Sequence, residues 1–68
     1  MKATIKVCNM NTNQDVDKVK KAIAQNEGVI ACEITKDKGE IQIVYDNYFV
    51  TVEDIIESIE DMGYTVLE

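Results

Sequence analysis

A chain of 68 residues has room for one domain, near the lower size at which an apolar core holds without staples. Its net charge of −6 and its lack of Arg and His exclude a nucleic-acid binder's basic stripe and make catalysis a poor expectation. No apolar run approaches the roughly 18 residues of a membrane span, and nothing at Met1 resembles a secretory signal, so a complete, cytoplasmic chain without membrane insertion is expected.

The predicted elements follow in order. Residues 3–8 alternate, with Ala3, Ile5 and Val7 on one face and Thr4, Lys6 and Cys8 on the other, which describes a strand with one buried side. A polar septet, Asn9 to Asp15, separates it from a helical pattern. There Val16, Val19, Ala22 and Ile23 share a face up to Gly28, while Lys18, Lys20 and Lys21 turn mostly outward. A second strand is expected from about Val29 to Thr35, with Ile30, Cys32 and Ile34 facing the helices. Asp37-Lys38-Gly39 then supplies a hairpin turn. Glu40 to Tyr45 forms a third strand with Ile41, Ile43 and Tyr45 on one side. Ile55, Ile56, Ile59 and Met62 mark a second helix stopped by Gly63, and Tyr64 to Leu67 closes the chain as a short strand.

The order βαββαβ predicts two right-handed βαβ halves joined by a hairpin. The result is a ferredoxin-like α+β sandwich, a four-stranded antiparallel sheet with both helices on one face, filling residues 1–68. Thr12-x-x-Asp15 and Thr51-x-x-Asp54 both have the form of a capping box, and Val50 with Ile55 can add a hydrophobic staple. Charge is divided between the halves. Residues 1–38 carry seven Lys against five acids, whereas residues 39–68 carry eight acids and no base.

The stretches I5-K-V7-C-N-M10, G28-V-I-A-C-E-I34, I41-Q-I-V-Y45-D46, V50-T-V-E-D-I-I-E-S-I59 and G63-Y64 resemble the heavy-metal-associated domain family. That family includes small copper chaperones and amino-terminal modules of metal-transporting P-type ATPases, and the resemblance covers nearly the whole chain. It implies metal-ion binding and transport, with a metal-transporting ATPase or another protein as partner. The family's metal motif, G-M-x-C-x-x-C, falls on Asn9 to Asp15. Met10 matches it, but Thr12 and Asp15 stand at the two cysteine positions. Cu(I) prefers soft thiolate sulfur, so a hydroxyl and a carboxylate do not replace those bonds. Thr12 and Asp15 instead suit a helix cap.

Other readings stay open beside this one. Cys8 and Met10 offer a displaced soft site that would hold an ion such as Cu(I) weakly; alternatively Cys8 is a half-exposed thiol and Met10 is core. Cys32 is expected in the core, and a Cys8–Cys32 disulfide is not expected, because strands one and two are not neighbours in this topology. Asn9, Asn11, Asn13, Asp15 and Asp17 alternate like a calcium loop, yet Gln14 and Lys20 stand where that loop needs Gly and Glu. Lys18, Lys20 and Lys21 are either a solvated face or a docking face for an acidic partner. Tyr48 and Phe49 either fold under the helix ends or form an apolar contact patch. A metal-independent interaction module that keeps the fold is the alternative to metal handling.

Overall fold

The computed structural model describes residues 1–67. β1 (Lys2–Cys8), α1 (Asn13–Ala24), β2 (Val29–Thr35), β3 (Glu40–Tyr45), α2 (Val52–Asp61) and β4 (Thr65–Leu67) follow in that order, with one 3₁₀ turn at Lys36–Lys38 between β2 and β3. The strands pair antiparallel in the order β2-β3-β1-β4. This is the ferredoxin-like sandwich.

Strand alternation builds the core. Ile5 and Val7 of β1 and Ile41, Ile43 and Tyr45 of β3 turn to one face, where Val19 and Ile23 of α1 and Ile55 and Ile59 of α2 cover them. Burial of these side chains, at roughly 1.5–3 kcal/mol each, supplies the main drive to fold. Both helices begin as their sequences suggest. The Thr12 and Thr51 hydroxyls accept from the backbone N–H of Asp15 and Asp54, and each carboxylate accepts from its threonine's N–H in return. Val50 and Ile55 are both buried, in the positions of a hydrophobic staple.

Three details depart from the periodicity. The first helix stops at Ala24 rather than continuing to Gly28, because the Asn26 side-chain amide donates to the Ala22 and Ile23 carbonyls, both at 3.2 Å. Ile30 does not face the core. A register shift between Val29 and Ala31 makes it the extra residue of a bulge and leaves it 70% exposed, while Cys32 and Ile34 keep the expected side, opposite Ile43 and Ile41. Met62 lies beyond the last turn of α2 as its C-cap and is exposed, so the buried stripe ends at Ile59. Gly63 follows with φ +94°, a conformation that suits glycine best, and starts the chain back toward β4.

Chain direction sorts the loops to two ends. The β1–α1 loop, the β2–β3 turn and the α2–β4 loop share one end; the α1–β2 and β3–α2 loops share the other.

Candidate functional site

At the first end, β1 delivers the chain to Asn9, which adopts φ +69°. Asn tolerates this left-handed conformation better than most residues, and it turns the backbone so that Met10 enters the core at 4% exposure. Asn11 and Thr12 then cross the start of α1. Their backbone N–H groups both donate to Asp15 Oδ2 at 3.1 Å, and Asp15 N–H donates to Thr12 Oγ1 at 3.1 Å. The fourth bond comes from far along the chain. The Tyr64 hydroxyl donates to Asp15 Oδ1 at 2.6 Å, across 49 residues of sequence.

These bonds set the electrostatics of the loop. The Tyr64 hydroxyl, followed by the Asn11 N–H, holds the Asp15 carboxyl at about 2, against an ordinary 3.8 and against the opposing effect of burial. The same bond raises the Tyr64 phenol above 10.0, with burial and the Asp15 charge acting in the same direction. The helix N-terminus favours the carboxylate further. Asp15 is therefore an ionised oxygen acceptor with both oxygens engaged. Among the described residues no three Cys, Asp or Glu side chains converge as a metal-binding group.

The soft atoms lie elsewhere. Val7 faces the core, so strand alternation puts Cys8 on the opposite face, half-buried and paired with Thr65. Met10 is core, and the two sulfurs are thus carried to different sides of the sheet. Cys32 is half-buried opposite Ile43; burial pushes its thiol up, and the charge of Lys20 offsets part of that. Both cysteines are free, with β3 between their strands.

Lys18, Lys20 and Lys21 are exposed along α1. Tyr48 and Phe49 lie at the opposite end from Asp15 and do not fold under the helix ends. They are 86% and 59% exposed, with ring centroids 5.4 Å apart in an edge-to-face pair.

Two features of the site went unread in sequence, the Tyr64 bond to Asp15 and the positive φ of Asn9. Tyr64 was legible only as part of a framework motif, and nothing local ties its hydroxyl to Asp15. Asn9 stands where the metal motif has Gly, and that signal could have identified a positive φ.

No family model matches the chain. The copper chaperone CopZ of Staphylococcus haemolyticus is 37% identical over 62 residues, a match covering 91% of this chain and 91% of that protein. A CopZ metallochaperone structure superposes with a TM-score of 0.95 at 25% identity, covering 98% of this chain and 100% of the other. A copper binding domain from HMA7, a P-type ATPase, superposes with a TM-score of 0.90 at 28% identity over 98% of this chain and 93% of that one.

Proposed function

The chain belongs to the heavy-metal-associated domain family, the family of the copper chaperones, and we propose that it is a copper-chaperone-like protein of metal-ion handling and transport whose own loop has become a helix cap. It works in the cytoplasm by contact with a metal-transporting ATPase domain or another protein. The exposed Lys18, Lys20 and Lys21 of α1 are its face toward an acidic partner.

One observation carries the mechanistic half of this reading. The Asp15 carboxylate accepts from Asn11 N–H, Thr12 N–H and the Tyr64 hydroxyl at once, so the residues at the two thiolate positions spend their polar atoms within the fold. A hydroxyl and a carboxylate are hard donors, and Cu(I) is a soft ion that favours thiolate. The helix end that would lower a thiol's pKa here stabilises a carboxylate instead. The same observation favours the second reading, a metal-independent interaction module in which the family's fold is kept for its surfaces. Cys8 and Met10 are the remaining soft donors, and their placement on different sides of the sheet weighs against a shared ion.

Anaerobic Cu(I) titration of the wild-type chain and of Cys8→Ser against a strong competing chelator tests the proposal. No stoichiometric complex should survive the chelator in either protein. A surviving complex that Cys8→Ser abolishes would make the displaced Cys8 and Met10 site the better account, and one that Cys8→Ser leaves intact would overturn the cap reading.

A further inference from the structure

The end opposite Asp15 carries a built surface. In the β3–α2 loop, Asp46 Oδ1 accepts from Tyr48 N–H at 2.9 Å, and the Asp46 carbonyl accepts from Phe49 N–H at 3.0 Å. Asp46 N–H donates to the Gly28 carbonyl at 2.8 Å, which fastens the loop to the start of β2. Gly28 makes that approach possible. A Cβ there would stand 2.8 Å from Phe49 Cβ and 3.2 Å from the Asp46 carbonyl oxygen, and its φ of +101° suits no other residue. Three hydrogen bonds thus hold two aromatic rings in solvent, where they gain nothing from the core. The bulged Ile30, just beyond Gly28, adds a third exposed apolar side chain at this end.

The charge that α2 presents beside the rings has one sign. α2 starts after Phe49 with two residues between, the buried Val50 and the N-cap Thr51, and its Glu53, Glu57 and Glu60 recur at helical spacing on an exposed face. From Glu53 to Glu60 the stripe runs about 10 Å along the helix, away from the rings. No Lys or Arg occurs between Gly39 and the end of the chain to neutralise it. Three of the seven lysines lie on α1, the face already assigned to an acidic partner, while the cations at the ring end are Lys2 and the N-terminal ammonium, which donates to the Tyr45 carbonyl at 2.9 Å. The two helices offer surfaces of opposite charge.

We propose that Tyr48 and Phe49, with the Glu53–Glu57–Glu60 stripe, form a second docking surface for a protein segment that carries Lys or Arg beside an apolar anchor. The rings supply apolar area at low conformational cost and a face for a cation, and the carboxylates set polarity and register. This surface is independent of the metal loop. The chain would then bridge an acidic partner at α1 and a basic one at α2, or meet them in turn.

The test is a displayed random 12-residue peptide library selected on the immobilised full-length chain, with counter-selection on Tyr48→Ser/Phe49→Ser. A synthetic peptide of the resulting consensus is then titrated against both proteins by fluorescence anisotropy. The consensus should combine basic and apolar residues. Tyr48→Ser/Phe49→Ser, which leaves charge unchanged, should weaken the peptide about tenfold or more, as loss of an aromatic anchor does. Glu53→Gln/Glu57→Gln should also weaken it and flatten its salt dependence, while Lys18→Gln/Lys20→Gln should not. Binders without basic residues, or binders indifferent to the two rings, would overturn the proposal. So would ring-dependent binding to phosphatidylcholine–phosphatidylglycerol vesicles, which would assign the rings to a lipid surface, or ring-dependent dimerisation by sedimentation, which would assign them to a second copy.

Discussion

Replacing Thr12 with Ala isolates the first helix cap. The Thr12 hydroxyl accepts from Asp15 N–H at 3.1 Å, and alanine leaves that N–H to water at an exposed helix end. The Asp15 carboxylate keeps its bonds from Asn11 N–H, Thr12 N–H and Tyr64, so the loss is confined to one acceptor. Such substitutions cost about 0.5–2 kcal/mol, typically about 1. For a domain of this size, about 1 kcal/mol lowers the melting temperature by roughly 4–8 °C. Thr51→Ala is the internal control, because Thr51 caps α2 with the same geometry at 3.2 Å. Urea and thermal denaturation of both variants should give losses of similar size with unchanged m-values. A full loss at Thr51 beside none at Thr12 would mean that α1 does not depend on its box, and the loop would need another purpose.

Further outcomes follow from the same geometry. Asp15, held at about 2 against an ordinary 3.8, stabilises the fold above the ordinary value, and that contribution fades as pH falls through about 2. Tyr64→Phe removes the largest cause of the shift, so the Asp15 carboxyl should titrate closer to its ordinary value by ¹³C NMR; an unmoved titration would refute the bond. Gly28→Ala places a Cβ against Phe49 and Asp46 at a positive φ and should cost about 1–3 kcal/mol in denaturation; a neutral result would mean the loop is not fastened there. Cys32, half-buried with its thiol pushed up, should react with a thiol reagent far more slowly in the native chain than in urea, and equal rates would place it in solvent.

Legibility in the sequence followed the range of each interaction. The alternation of Ile5 and Val7, the spacing of Val19 with Ile23 and Ile55 with Ile59, and the two Thr-x-x-Asp boxes are local signals, and they led to the elements and the topology. Ile30 misled because a bulge, which no residue type announces here, slips the parity of a strand by one position. The end of α1 misled because Asn26 acts as a cap through its side chain, a use that its single letter does not distinguish from a loop asparagine. Within the site, Thr12 and Asp15 were readable as a cap from spacing alone. The Tyr64 bond was not, since 49 residues separate the partners and only the folded chain brings the α2–β4 loop beside the first turn of α1. The exposure of Tyr48 and Phe49 was open for a similar reason. It depends on Gly28 and Asp46 meeting across two loops.

The claim that the metal loop survives as a backbone but not as a ligand set is tested most directly by putting sulfur back. Thr12→Cys with Asp15→Cys places two thiols three residues apart on one face of the first turn, where the helix N-terminus favours thiolates. Anaerobic Cu(I) titration of this double variant against the competing chelator is the measurement. One Cu(I) per chain should bind in the double variant, far more weakly in either single variant, and not stoichiometrically in wild type. A folded double variant that still fails to take up Cu(I) would contradict the account, because the loop would then have left the family's geometry as well as its cysteines.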